Sequence, residues 1–140
     1  MTRIDFYVLG AEDPRRRLLT ACRIAEKAWQ QGLRVFVHAP GQARELDALL
    51  WTFSAGSFVP HGLQGAGGES DQPVLIGEGD EPGPEHDGLL INLSNEIPPF
   101  FSRFQRLAEV IDRTPEVLGR GRARYRHYRE RGYALRTHAF

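Results

Sequence analysis

Ile4-Asp5-Phe6-Tyr7-Val8-Leu9, then Asp13-Pro14, then Leu18, Leu19, Cys22, Ala25 and Trp29, then Val35-Phe36-Val37: this succession decides the fold. The first run reads as a strand. Asp13 can cap a helix whose first position holds Pro14, and apolar residues then recur at helical spacing until Gly32 ends it. Val35-Phe36-Val37 is short and wholly apolar, as a strand buried in a sheet must be. A second helix follows over residues 41–51, with Leu46, Leu49 and Leu50 facing inward. Strand–helix–strand–helix order calls for parallel strands joined by right-handed crossovers.

Further along, the pattern is broken and then resumes. Residues 52–88 are rich in Gly, Pro, Ser and acidic residues, and offer one short strand, Val74-Leu75-Ile76. Leu89-Leu90-Ile91-Asn92-Leu93 is the next strand, and Pro98-Pro99 punctuates the chain after it. Residues 106–112, with Leu107, Val110 and Ile111 apolar, form the expected last strand. Thr114 and Pro115 open a final helix, as cap and first helical residue, and residues 133–140 read as a short tail. Neither a repeat nor a linker divides the chain. Residues 1–140 are therefore expected to form a single Rossmann-like α/β domain with a mostly parallel central sheet flanked by helices.

Composition narrows the functional classes. A chain of 140 residues, 41% hydrophobic, can bury one core. Its 18 basic and 18 acidic side chains cancel, so no general attraction to nucleic acid or membrane is indicated. The single cysteine, Cys22, rules out an intramolecular disulfide and suits a reducing cytoplasm. No apolar run approaches the roughly 18 residues of a transmembrane helix, and the start does not read as a signal peptide.

Enzyme motifs are tested and set aside. The run Gly65-Ala66-Gly67-Gly68-Glu69-Ser70 lacks the Gly-Lys-Ser/Thr ending of a phosphate loop. The first strand-to-helix turn, Gly10-Ala11-Glu12-Asp13-Pro14, has no G-x-G-x-x-G pattern and carries two acids that would repel a pyrophosphate. His38, His61, His86, His127 and His138 show no ligand spacing, so no metal is expected; they read as surface or hydrogen-bonding histidines. Cys22 falls on the inward stripe of the first helix and reads as an inert buried thiol. Ser54, Ser57 and Ser70 lie in no nucleophile elbow, and no carboxylate pair stands out. Neither catalytic residue nor cofactor is expected.

Two other features point to binding. Trp51, Phe53, Phe58, Val59 and Leu63 crowd into a segment that also holds Gly56, Pro60 and Gly62. Such a loop either folds onto the core or offers aromatic anchors to a partner. The final helix carries Arg120, Arg122, Arg124, Arg126, Arg129 and Arg131 against only Glu116 and Glu130. Arg122, Tyr125, Arg126 and Arg129 stand at i, i+3, i+4 and i+7 and so share one face. Guanidinium forks beside an aromatic ring suit a carboxylate- or phosphate-bearing partner with an apolar group. The bland alternative is a solvated charged face, but like charges at i, i+4 cost a few tenths of a kcal/mol per pair.

At these residues the chain resembles the chi subunit family of bacterial DNA polymerase III. The similar stretches are Asp5-Phe6-Tyr7-Val8-Leu9, Leu50-Trp51 with Ser57-Phe58-Val59-Pro60-His61-Gly62-Leu63, and residues 122–133 around Arg122-Ala123-Arg124-Tyr125-Arg126. The resemblance runs in order over nearly the whole chain, and its Trp and Ser-Phe-Val-Pro-His motif is the most specific part. It implies a non-catalytic, Rossmann-like adaptor of the clamp loader. Such an adaptor pairs with the psi subunit and grips the acidic C-terminal tail of single-stranded DNA-binding protein, which ends in Pro-Phe. Carried over by position, the tail site falls on Ile111, Arg122, Tyr125 and Arg126, and the psi surface on Trp51 and Phe58. A repair helicase is a further candidate partner at the psi surface. A lysine of the family's tail site corresponds here to Leu118, with Arg120 or Arg113 as substitutes. The competing readings are a module that binds nucleic acid directly through its arginine helix, and a small enzyme with a disguised nucleotide motif. Neutral overall charge disfavours the first.

Overall fold

The computed structural model describes residues 1–65 and 71–139. Its centre is one seven-stranded sheet, with strands β1 (Arg3–Val8), β2 (Val35–His38), β3 (His61–Leu63), β4 (Val74–Gly77), β5 (Leu89–Asn92), β6 (Arg106–Ile111) and β7 (Leu135–Ala139). Spatial order is β3-β4-β2-β5-β6-β1-β7, and each neighbouring pair is parallel. Parallel neighbours require crossovers, and three helices supply part of them: α1 (Pro14–Gln30), α2 (Ala43–Thr52) and α3 (Pro115–Glu130). The expected α/β architecture is therefore present, and the sheet is wholly parallel among the described residues.

The central strands are apolar on both faces because both faces are covered. On one face α1 and α2 bury Leu18, Cys22, Leu46 and Leu50 against Val35, Val37, Val74 and Ile91. On the other, α3 and the short 3₁₀ turn Phe101–Arg103 cover Phe6, Phe36, Leu90 and Leu107. Strand alternation assigns these faces, since Val35 and Val37 go one way and Phe36 the other. The Asp13 carboxylate accepts the Arg16 N–H at 3.0 Å, as expected of the cap of α1. Gly32, with φ +84°, takes the left-handed turn that ends the helix.

Four local expectations need correction. Residues 133–140 are not a tail: β7 lies beside β1, with Ile4 opposite Leu135 and Val8 opposite Ala139. Residues 52–88 hold two strands rather than one, because β3 adds to β4 at the sheet edge. Both elements are short, and β7 has little buried surface, so their pairing comes from the neighbouring strand and not from their own pattern. The second helix begins at Ala43, since Gly41 has φ +76° and cannot be its first turn. Thr114 makes no side-chain cap: its hydroxyl donates to Asp112 Oδ2 at 2.9 Å, while its N–H donates to Asp112 Oδ1. The glycine-rich run is described only at Gly65; its other residues lie outside the described part.

Candidate functional site

The arginine helix is anchored by a polar cluster set inside an apolar layer. Glu109, in the middle of β6, is fully buried and accepts two bonds from Arg124, at 3.1 Å from Nε and 3.0 Å from Nη2. The Tyr128 hydroxyl donates to it at 2.7 Å and the Asn92 amide at 3.1 Å. Burial, and then the adjacent Glu109 carboxylate, push the Tyr128 phenol well above its ordinary range. Arg124 is thus a structural cation, which corrects the expectation of an uncompensated helix. Arg120 also has an acidic neighbour, Glu96 at 3.8 Å, although both are exposed. Arg122, Arg126 and Arg129 are also exposed on α3, and Arg131 follows at its C-terminal end.

Beside this anchor, α3 and the sheet form an open cavity of about 170 Å³. Its apolar wall comes from Phe6 and Val8 of β1, Ile111 at the end of β6, and Leu118. Arg122 and Tyr125 of α3 stand over it, with Arg113 across from them. Tyr125 is half-buried, edge-on to Phe6 at 5.2 Å between ring centres, and Arg129 reaches within 6.0 Å of its face. Gly121 permits the close approach, since a Cβ there would meet Ile111 Cδ1 at 3.0 Å. An apolar cavity of about 150 Å³ accepts a benzene ring, so this one has room for one aromatic side chain. The structure therefore brings Ile111, Arg122 and Tyr125 together around one cavity, with Arg126 exposed on the same helix but off its lining. Of the two substitutes for the family lysine, Arg113 lines this cavity beside Leu118, whereas Arg120 lines a different one with Asn95 and Glu96.

The aromatic loop divides into two parts. Val59 is buried in the core, and Phe53 and Leu63 pack against it. Trp51 and Phe58 are exposed, at 57% and 61%, with ring centres 5.9 Å apart. Trp51 also lies 4.7 Å from the ring of His61, which is buried and held by the Val59 and Asp47 carbonyls. Trp51 is on α2, and Phe58 lies in the segment that leads into β3. From β3 to β1 are five strand spacings, about 24 Å, and α2 and α3 lie on opposite faces. The two candidate surfaces cannot touch the same small segment.

Other sequence candidates take plain structural places. Cys22 is buried, and burial raises its thiol to about 12. His38 and His86 are buried and pushed below 6.5 by desolvation. Among the described residues no group of three or more His, Cys, Asp or Glu could hold a metal ion. No described helix is long and apolar enough to cross a membrane. Sequence reading missed the Glu109 anchor, although a lone carboxylate inside Leu107-Ala108-Glu109-Val110-Ile111 was a usable signal.

Comparison with known proteins adds to this geometry. Residues 1–136 match the family model described as DNA polymerase III chi subunit, HolC. The chain is 46% identical to the DNA polymerase III subunit chi of Pseudomonas aeruginosa, over 99% of this chain and 96% of that protein. It is 31% identical to the same subunit of Haemophilus influenzae, over 95% and 94% of the two chains. With the Escherichia coli subunit it shares 32% identity over 83% of this chain and 80% of the relative.

Proposed function

The chain belongs to the DNA polymerase III chi subunit family, a replication accessory role, and on that premise we propose that it is a non-catalytic adaptor of the clamp loader. One α/β domain bridges the psi subunit, at Trp51 and Phe58, to the acidic C-terminal tail of single-stranded DNA-binding protein, at the α3 cavity. The observation that carries this reading is the cavity itself. It offers an apolar recess of Ile111 and Tyr125 for a terminal aromatic ring, directly beside the Arg122 fork. Arg126 and Arg129, on the same helix, extend the positive field to the acidic residues that precede the ring. Arg113 stands where it can take over the role of the family's lysine.

On this reading the protein needs neither metal nor cofactor, works in the cytoplasm and contacts no DNA directly. A repair helicase would compete with psi for the Trp51 and Phe58 surface. Direct nucleic-acid binding by α3 is less well supported, because Arg124 is withdrawn into the core and Arg120 faces Glu96.

The test is fluorescence anisotropy with a labelled acidic peptide ending in Pro-Phe, set beside a dT oligonucleotide. Arg122→Ala should weaken peptide binding by about 1–3 kcal/mol, as for loss of a charge-assisted bond. Replacing the terminal Phe of the peptide by Ala should weaken it as well. Unchanged affinity in both experiments would remove the tail site, and tighter binding of the oligonucleotide would favour the nucleic-acid reading.

A further inference from the structure

A second cationic recess lies on the other face of the sheet. A cavity of about 430 Å³ runs between α1 and strands β1, β5 and β6. Arg16, Arg23 and Lys27 of α1 stand on it, with Arg3 of β1 and Arg106 of β6 opposite. Among the described residues no carboxylate lines it. The one acid of α1, Glu26, accepts the Ser57 hydroxyl instead and lies outside this lining. Asp5 lies 3.8 Å from Arg3 and 4.0 Å from Arg106, but it also accepts a 2.9 Å bond from His138. One buried carboxylate leaves this group of cations with a net excess, and Arg106 Nε is buried without a hydrogen-bond partner.

The cations form a line. Arg16, Arg23 and Lys27 are seven and eleven positions apart, so they fall within about 40° of one another and span about 17 Å of helix. The floor beneath them is apolar, with Ala28 and Leu89 buried and Ile24 half-buried. A polyanion with an apolar side group would therefore meet both kinds of surface.

The aromatic content decides which polyanion. Grooves for single-stranded nucleic acid alternate cations with free aromatic faces on which bases stack. Here the only aromatic residue among the described ones that line the groove is Tyr7, and its ring is stacked on His138, 4.7 Å away and 15° from parallel. The zero net charge of the chain also lacks the overall basic character of such domains. An extended peptide fits better. Its alternate side chains stand about 6.6 Å apart on one side, close to the roughly 6 Å rise from Arg23 to Lys27.

We propose that this α1 groove docks an extended acidic segment, about five residues long, of a partner protein. Its carboxylates meet Arg16, Arg23 and Lys27, and one aliphatic side chain rests on Ile24, Ala28 and Leu89. This site is separate from the α3 cavity, which is on the opposite face.

The experiment uses the full chain carrying Arg122→Ala, so that the α3 cavity does not report. The probe is a labelled Asp-Asp-Leu-Asp-Asp peptide, followed by anisotropy and by amide shift mapping, with a dT oligonucleotide as the second arm. Binding with shifts along α1 and β1 is expected, together with a loss of about tenfold or more on adding Arg23→Glu and Lys27→Glu. Both residues are exposed, so the melting temperature of that variant should stay close to its parent's. Absent binding, shifts confined to other surfaces, or affinity indifferent to the charge reversal would overturn the site. Tighter binding of the oligonucleotide would overturn the occupant. A peptide ending in Pro-Phe, tested on the chain with Arg122 intact and the α1 charges reversed, shows separately whether the α3 reading holds.

Discussion

Arg122 and Arg124 are two positions apart on α3, yet the structure gives them opposite roles, and alanine at each should separate them. Arg124 is 4% exposed and binds Glu109 through two nitrogens, while Glu109 has no exposure at all. With Arg124→Ala, Glu109 keeps the Tyr128 hydroxyl and the Asn92 amide but loses its counter-charge. Breaking a buried pair from one side costs about 3–5 kcal/mol, because a desolvated charge is left behind. At roughly 3–5 °C per kcal/mol for a chain of this size, the melting temperature should fall by about 10–20 °C. Arg122 is exposed, so Arg122→Ala should change stability by no more than about 0.5 kcal/mol, or about 2 °C. Its effect belongs to binding of the acidic peptide, which should weaken by about 5- to 150-fold. Thermal denaturation followed by circular dichroism, paired with peptide anisotropy on each variant, reads both quantities. An Arg124→Ala protein that melts like the parent would refute the buried-anchor reasoning. An Arg122→Ala protein that loses stability as well as binding would show that the face is structural. Glu109→Leu combined with Arg124→Met should recover part of the loss, since an apolar pair leaves no buried charge unpaired.

The exposed pair Trp51 and Phe58 should behave in the same divided way: Phe58→Ala should cost about 1 kcal/mol or less in urea denaturation, against about 3–5 for a buried phenylalanine, yet abolish capture of psi in a pull-down. A drop in stability of the full buried size, with tail binding lost too, would return both residues to the core. Desolvation holds His38 and His86 below 6.5, so below that pH the unfolded chain takes up protons that the folded chain resists. Stability is therefore present above about pH 6.5 and lost as pH falls, and His86→Gln should flatten the change in urea midpoint between about pH 7.5 and 5.5. Cys22 goes the other way, with its thiol raised from 9.0 to about 12, so stability declines as pH rises through that interval. At about pH 8 a thiol reagent should label it only as fast as the chain unfolds, and rapid labelling of the native protein would contradict its burial.

The part of the fold legible in the sequence is the part that makes its own pattern. β1, α1 and β2 could be read because Asp13-Pro14 and Gly32 mark the helix ends and the runs around them are apolar at the right period. β3 and β7 could not. His61-Gly62-Leu63 has a glycine at its centre, and Leu135-Arg136-Thr137-His138-Ala139 presents three exposed residues out of five. Each exists because the adjacent strand, β4 or β1, supplies the hydrogen-bonding partner. That is tertiary information, and a single sequence carries almost none of it. The Thr114 cap failed for a similar reason: Asp112, two residues earlier, competes for the threonine hydroxyl.

The candidate sites show the same boundary from the functional side. Helical spacing was enough to put Arg122, Tyr125 and Arg126 on one face, but it could not say that Arg124, on the same helix, turns inward to a carboxylate 15 residues earlier in the chain. Nor could it find the wall of the cavity, which β1, β6 and α3 assemble from Phe6, Val8, Ile111 and Leu118. The anchor and the cavity are neighbours on the same two elements. Glu109 and Ile111 are on the same face of β6, and Arg124 and Tyr125 are successive residues of α3. The bidentate pair therefore fixes the register at which α3 lies on the sheet, and that register sets the opening between Tyr125 and Ile111. A buried ion pair contributes little net stability, but it penalises every other docking of the helix, because any slip strands both charges. Here that penalty falls beside the recess that Ile111 and Tyr125 line.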